Sequence, residues 1–342
     1  MATACFSLHA NKGPRFHNSS QMTLTIEKLS QRTGDRWVLK DVTFSVDGSG
    51  IFGVFGPAGS GKTTLLRAIS GKIKHNGGST TLNGKDLTTA PASKRSITYL
   101  SGCETPSLLS VLSRGEKGGS MGLKQLAGFR SAVDQASDVL LLDEPFSQMD
   151  DRTRRECFDI LRTAAEKKTV IFASSDFEQI AALTDKLAVL INGEVAQTGT
   201  PKEIYDNPET SAVASITGEN NIFAARRISS STADLPEFQT LDGGHRMFAQ
   251  PVKKARLGPI NQNVMLAIRP EQVALSVGAS FPEDNLVKAI VAKVEFRGPT
   301  SLIHFDADGL PIKARVFKVV GVDTGDEFML GLPPDRILIL KD

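Results

Sequence analysis

The fold is indicated first by the segment Gly56-Pro57-Ala58-Gly59-Ser60-Gly61-Lys62-Thr63, which fits the phosphate-binding pattern G-x-x-x-x-G-K-[ST]. An apolar segment, Ile51–Phe55, precedes it and predicts a strand. A helical pattern follows from Thr63 through Ile69, and Gly71 offers a left-handed stop. A chance match is the alternative, but the strand before the loop and the helix after it favour a nucleoside triphosphate site.

The residue types of this loop suit a polyphosphate. Its three glycines let the backbone turn tightly, so that N–H groups and the helix N-terminus face negative charge. Lys62 is expected to reach the β- and γ-phosphates, and the Thr63 hydroxyl is expected to hold Mg²⁺. We predict that Gly56 to Thr63, together with Thr64, bind the nucleotide.

Composition sets the class of protein. The chain has 342 residues, enough for two domains, and its 40% hydrophobic and 23% charged residues are ordinary for a folded soluble protein. A net charge of +2 gives no reason to expect nucleic-acid binding. No apolar run approaches the roughly 20 residues that span a bilayer, so we expect any membrane association to pass through a partner. Three cysteines without metal-ligand spacing suit a reducing compartment.

Three regions follow one another along the chain. Residues 1–21 are predicted to be a disordered extension; an organellar targeting segment is the alternative, since no acidic residue precedes Glu27. Residues 22–218 alternate short apolar runs with helical patterns, which predicts a mainly parallel α/β sheet covered by helices; with the phosphate loop, the expected class is a P-loop NTPase. Residues 219–342 change to short strands with turns between them, which predicts a small all-β barrel.

Two carboxylates follow a buried strand. Asp143 and Glu144 come directly after the apolar run Val139–Leu142, so they are expected at the carboxyl end of the sheet, where ligands of such folds bind. Asp143 is predicted to hold Mg²⁺ and Glu144 to polarise an attacking water as general base. A solvated turn is the alternative for this pair.

These motifs in this order resemble the ATP-binding subunits of ABC transporters, specifically the importer group with a C-terminal oligosaccharide-binding-type β-domain, as in the maltose, sulfate, iron and polyamine systems. The resemblance covers residues 22–342. Beyond the phosphate loop it is carried by segments 141–150 (LLDEPFSQMD), 192–205 (NGEVAQTGTPKEIY), 218–223 (GENNIF) and 268–271 (IRPE).

The resemblance implies a mode of action. A second ATPase subunit, identical or different, would pair with this one and sandwich two ATP molecules, and closure would drive transmembrane permease subunits. The protein would lie peripherally on the cytoplasmic face of the membrane. ATP and Mg²⁺ are the implied cofactors.

The chain also departs from the family. Gly102 stands where a glutamine usually touches Mg²⁺, and Ser175 stands where a switch histidine is expected. The signature loop is degenerate around Ser120 and Gly122, and the helical subdomain that should precede it is reduced to a short segment. The adenine-stacking aromatic aligns with Thr33; Trp37 lies nearby, and a role in the core or on a sheet face is favoured over replacing that aromatic.

Three functions remain open from the sequence. The leading one is an importer ATPase whose hydrolysis is at least about tenfold slower than that of an intact relative, because one lost electrostatic donor costs about 2.7–4 kcal/mol in other enzymes. The second is a nucleotide-binding regulatory subunit with little turnover, paired with an intact sister. The third, a relic that binds neither ATP nor a transporter, is disfavoured by the intact Lys62, Thr63, Asp143 and Glu144.

Overall fold

The computed structural model describes residues 22–102, 121–228, 232–252, 257, 259–276, 285–317 and 321–342. The predicted disordered extension, residues 1–21, lies outside the described residues. So does the segment 103–120, which contains Ser120 and the shortened connection before it.

A mainly parallel sheet of six strands forms the centre of the N-terminal part, in the order β10-β9-β3-β8-β7-β6. Only the β9–β10 pair is antiparallel; it forms a hairpin with Asn192-Gly193 at its turn. The strands are β3 (Gly50–Phe55), β6 (Ile97–Ser101), β7 (Val139–Asp143), β8 (Thr169–Ser174), β9 (Lys186–Ile191) and β10 (Glu194–Gly199).

Helices and a second sheet cover this sheet. The helices are α1 (Lys62–Ser70), α2 (Met121–Asp134), α3 (Asp151–Ala165), α4 (Phe177–Leu183), α5 (Pro201–Asp206) and α6 (Ser211–Ile216). The antiparallel second sheet has the order β2-β1-β4-β5 and consists of β1 (Thr23–Thr33), β2 (Arg36–Asp47), β4 (Gly77–Leu82) and β5 (Lys85–Asp86).

The apolar strands of the parallel sheet are buried on both faces. Leu140 and Leu142 of β7 pack into one core with Phe129 of α2 and Leu161 of α3. The alternate residues, represented by Leu141, face a second core that includes α1 and the antiparallel sheet. Because side chains of a strand alternate between faces, a continuous apolar run serves both cores. This packing holds the end of β7 next to the start of α1.

The C-terminal part consists of two antiparallel sheets of five strands, in the orders β13-β12-β11-β14-β20 and β15-β19-β16-β17-β18. They enclose one apolar core. The predicted fold class, an α/β P-loop domain followed by a small β-rich domain, is confirmed. The strands are β11 (Asn221–Arg227), β12 (Glu237–Thr240), β13 (Arg246–Phe248), β14 (Asn263–Ile268), β15 (Ala274–Ser276), β16 (Asn285–Arg297), β17 (Thr300–Ala307), β18 (Leu310–Phe317), β19 (Glu327–Leu332) and β20 (Leu338–Ile339).

One buried arginine joins the two parts. Arg269, which follows β14, donates hydrogen bonds to the carbonyl oxygens of Ala214, Glu219 and Tyr205 and to the hydroxyl of Thr217. Its side chain is 3% exposed. The guanidinium thus binds chain groups of α5, of α6 and of the segment that leads into β11.

Candidate nucleotide-binding site

The phosphate loop lies between β3 and α1, as predicted. Gly59 and Gly61 have φ values of 79° and 108°, which an L side chain rarely adopts, and α1 begins at the next residue, Lys62. At Gly56 a Cβ would lie 2.2 Å from the carbonyl oxygen of Leu190 on β9. The glycines therefore permit both the tight turn and the close approach of the loop to the sheet.

The ammonium group of Lys62 is turned back into this loop. The residue is 6% exposed, and its Nζ donates to the carbonyl oxygens of Gly56 at 2.7 Å and Pro57 at 3.1 Å. The same Nζ lies 3.5 Å from Oε1 of Glu144. The structure thus brings together the predicted phosphate-binding lysine and the predicted general base.

Asp143 ends β7 and is 2% exposed. Its Oδ2 accepts a hydrogen bond of 2.9 Å from the hydroxyl of Tyr99 on β6. Its Oδ1 is buried and has no hydrogen-bond partner among the described residues, and the same holds for the hydroxyl of Ser60 in the loop. An ionised buried oxygen without a partner is costly, and a cation with its water shell would satisfy it. The oxygen ligands present, with the hydroxyl of Thr63, therefore fit Mg²⁺.

Glu144 follows with a φ of 46°, an uncommon conformation for a residue other than glycine. Its side chain is 23% exposed, so water can reach the carboxylate. Its Oε2 lies 3.4 Å from the hydroxyl of Ser174 at the end of β8. A strained backbone at a candidate base is the kind of feature that clusters at functional sites.

The two serines at the switch position, Ser174 and Ser175, differ in their surroundings. Ser175, the residue aligned with the histidine, is exposed, whereas Ser174 is fully buried and is the serine that contacts Glu144. Ser174 also accepts a hydrogen bond from the N–H of Asp176, the N-cap of α4. The only signal for Ser174 in the sequence was its place at the end of an apolar strand.

Gly122 of the signature loop and Gly102 both lie close to atoms of neighbouring segments. Gly122 lies in the first turn of α2, and a Cβ there would come within 2.7 Å of the Thr153 hydroxyl on α3. Gly102 follows β6, and its N–H donates to the carbonyl oxygen of Asp143 at 2.9 Å. A Cβ at Gly102 would lie 2.1 Å from the carbonyl oxygen of Glu144. In this arrangement position 102 has no room for any side chain.

Trp37 lies on β2 opposite Arg32 of β1 and is 43% exposed, so it is a sheet-face residue, not part of the core. The Arg32 guanidinium carbon is 5.1 Å from the centroid of its ring. The carbonyl oxygen of the next residue, Val38, would be 3.0 Å from a Cβ at Gly61. The exposed indole thus lies on the strand that borders the phosphate loop.

Sequence reasoning missed Tyr99. Burial and, secondly, the negative charge of Asp143 raise the pKa of Tyr99 to about 12, so its hydroxyl stays protonated and can donate at neutral pH. The available signal was a tyrosine two residues before the end of β6, the strand that pairs with β7.

Within the described parts of the chain, no helix combines the length and the apolar character needed to cross a bilayer.

Comparisons with known proteins agree with the motifs. Residues 39–113 match the ABC transporter family, and residues 266–340 match the TOBE domain family. The spermidine/putrescine import ATP-binding protein PotA of Haemophilus ducreyi is 28% identical over 345 residues, which cover 85% of this chain and 91% of that protein. The protein of the same name from Protochlamydia amoebophila is 28% identical over 314 residues, 80% of this chain and 83% of that protein. A solved nucleotide-free ATP-binding cassette from an ABC transporter is 20% identical, with 58% of this chain and all of that chain covered, at a TM-score of 0.48.

Proposed function

We propose that this importer-type ABC ATPase, which carries a TOBE domain, binds Mg-ATP at the phosphate loop and hydrolyses it slowly to drive solute import through a membrane partner. The observation that supports this most is the arrangement at the start of α1, where the buried ammonium of Lys62 lies 3.5 Å from Oε1 of Glu144. In the described part of the chain, Oδ1 of the neighbouring Asp143 and the hydroxyl of Ser60 in the loop are both buried without a hydrogen-bond partner.

Each group has a distinct task in this proposal. The loop N–H groups and Lys62 hold the phosphates, while Thr63 and Asp143 hold Mg²⁺, which would neutralise phosphate charge. Lys62 must leave the carbonyls of Gly56 and Pro57 to reach a phosphate, and in doing so it frees the carboxylate of Glu144. Glu144 then orients the attacking water as general base.

Nucleotide binding can be measured by the fluorescence of Trp37. Trp37 is the only tryptophan in the chain, is exposed, and lies beside the loop. We expect saturable quenching of its fluorescence by ATP, and by ADP as well, because the purine would lie near the indole. In Trp37→Phe the fluorescence change should be absent, whereas the heat of nucleotide binding in calorimetry should remain. Unchanged fluorescence together with no heat would exclude binding.

Hydrolysis is tested with Glu144→Gln, which keeps the size of the side chain and removes its basicity. In an assay of phosphate release, the wild-type protein should turn over slowly and the variant should not turn over measurably. Both proteins should bind ATP in calorimetry. Equal turnover in the two would show that Glu144 is not the base.

A second candidate, a regulatory subunit that binds nucleotide with little turnover, has its own support. The backbone at Gly102 excludes the glutamine of the family, and Ser175 carries no charge. The same assay separates the two functions: tight ATP binding with a flat baseline in both wild type and Glu144→Gln favours the regulatory subunit.

The assembly is also a proposal. The protein would pair with a second ATPase subunit, identical or different, and would bind permease subunits from the cytoplasmic face of the membrane. Residues 22–218 would form the ATPase domain and residues 219–342 the accessory domain. Size-exclusion chromatography of Glu144→Gln with and without Mg-ATP tests homodimer formation: a nucleotide-dependent shift to twice the mass supports it, and a monomer in both conditions favours a different sister subunit.

A further inference from the structure

We propose that Tyr99 is a positioning residue that sets the orientation of the Asp143 carboxylate for Mg²⁺, so that the chain's use of Mg²⁺ depends on one tyrosine hydroxyl. The inference rests on the proposed function, because it concerns how the same site holds Mg-ATP. Its basis is the contact between Tyr99 and Asp143 and the different states of the two carboxylate oxygens.

The two oxygens of Asp143 differ in their surroundings. Oδ2 is bonded by the Tyr99 hydroxyl at 2.9 Å, and Oδ1 is buried without a partner in the described part of the chain. Because the hydrogen bond from Tyr99 holds Oδ2, Oδ1 is the oxygen of Asp143 that is available to bind Mg²⁺. Since Asp143 is 2% exposed, water cannot readily replace the tyrosine as the tether.

The position of the hydroxyl is fixed independently of Asp143. Tyr99 lies on β6 opposite Leu141 of β7, and its ring packs against the core shared with α1. The Nζ of Lys72 is 4.4 Å from the ring centroid. The side chain of Arg67, on α1, also hydrogen-bonds the hydroxyl. The hydroxyl therefore connects the helix of the phosphate loop to the strand that carries Asp143.

The hydrogen bond between Tyr99 and Asp143 matters more in this chain than it would in a site where a glutamine at position 102 also contacts Mg²⁺. Gly102 brings no side chain toward the metal, so the described residues placed to hold Mg²⁺ are Thr63 and Asp143. An unrestrained Asp143 would have to be ordered at the moment of binding, and that ordering lowers affinity. The effect should appear only when the metal is present.

The test measures the affinity for the non-hydrolysable analogue AMP-PNP by calorimetry, with Mg²⁺ and with EDTA. Tyr99→Phe removes the hydroxyl and keeps the ring. We expect it to weaken binding about tenfold in Mg²⁺, the loss of one hydrogen bond to a charged group, and less than about twofold in EDTA. Tyr205→Phe is the matched control, because Tyr205 is the only other tyrosine and its hydroxyl bonds Glu271, in the C-terminal part. It should change neither value.

A double-mutant cycle asks whether Tyr99 acts through Asp143. In an Asp143→Asn background, the hydroxyl deletion should have no further effect on the dependence on Mg²⁺. A persisting tenfold effect there would overturn the proposal. So would equal weakening of binding in Mg²⁺ and EDTA, which would mark a structural role, or no weakening at all.

A measurement on the unaltered site covers the case in which Tyr99→Phe does not fold. Fluorotyrosine incorporation gives two ¹⁹F signals, and Tyr205→Phe leaves the signal of Tyr99. That signal should move with Mg-AMP-PNP and stay in place with AMP-PNP in EDTA. A signal insensitive to the metal would contradict the proposal while leaving nucleotide binding intact, whereas absence of any binding by the wild-type protein would overturn the proposed function itself.

Discussion

Restoring the family's glutamine at position 102 should damage this protein. The φ of Gly102 is not among the positive values of the chain, so its backbone would accept an L residue. The obstacle is space, because a Cβ would lie 2.1 Å from the carbonyl oxygen of Glu144, 3.0 Å from its carbonyl carbon and 3.1 Å from the Cα of Pro145. All three are backbone atoms, which cannot rotate away as a side chain would.

The magnitude follows from this overlap. Overpacking a close-packed site costs about 1–3 kcal/mol, and for a unit of about 200 residues, such as the N-terminal part, that corresponds to a fall in Tm of roughly 2–12 °C. Because the clash begins at Cβ, Gly102→Ala should destabilise nearly as much as Gly102→Gln. To relieve it, Glu144 must shift, so phosphate release should also fall.

Thermal unfolding and phosphate release are measured for wild type, Gly102→Ala, Gly102→Gln and the control Gly84→Asn. Gly84 has a φ of 74°, which Asn tolerates, and no atom lies within 4 Å of the position that a Cβ would take, so its Tm should change by less than about 2 °C. A Gly102→Gln variant with the wild-type Tm and faster hydrolysis would refute the reasoning, since it would mean that the chain readily accommodates the missing side chain.

Three further outcomes follow from single groups. Arg269→Met should cost about 2–4 kcal/mol in chemical denaturation, because it removes the buried hydrogen bonds from the guanidinium to the carbonyl oxygens of Tyr205, Ala214 and Glu219, while the exposed Arg336→Met should change stability by less than about 0.5 kcal/mol. Hydrogen bonds from the Thr153 and Arg152 N–H groups lower the pKa of Asp150, the N-cap of α3. The ionised carboxylate therefore stabilises the folded protein above the ordinary pKa of 3.8, and this contribution is lost as pH falls below it. Asp150→Asn should remove this contribution, so that the free energy of unfolding depends less on pH in the acid range. Burial raises the pKa of Cys157 to about 12. With the other cysteines changed to serine, the native protein should therefore resist a thiol reagent at pH 8. Its free energy of unfolding should fall as pH rises above 9.0, because the thiol ionises at lower pH in the unfolded chain than in the folded one.

Local patterns predicted most of the N-terminal fold. The predicted strand before the loop and the predicted helix stop at Gly71 are both present. Each depends on residues close together in the chain, so the sequence holds the whole signal. The C-terminal part was predicted only as a small barrel, because pairing between distant strands sets the division into two sheets.

The site was predictable where a motif carries it and hidden where the partner comes from another strand. The motifs place Nζ of Lys62 3.5 Å from Oε1 of Glu144, the residue after Asp143. Tyr99 and Ser174 could not be assigned, because their contacts depend on the order of β6, β7 and β8 in the sheet. Likewise the lack of space at Gly102 arises from the backbone conformation of Glu144, which the sequence does not indicate.

Nucleotide binding by the phosphate loop can be decided by calorimetric titration of the full chain with ATP in Mg²⁺, beside Lys62→Ala. The wild type should bind one nucleotide per chain in a saturable way, and the variant, which lacks a charged phosphate contact, should bind at least about tenfold more weakly. No heat up to millimolar ATP, or equal affinity in the two proteins, would show that the loop does not bind ATP as proposed.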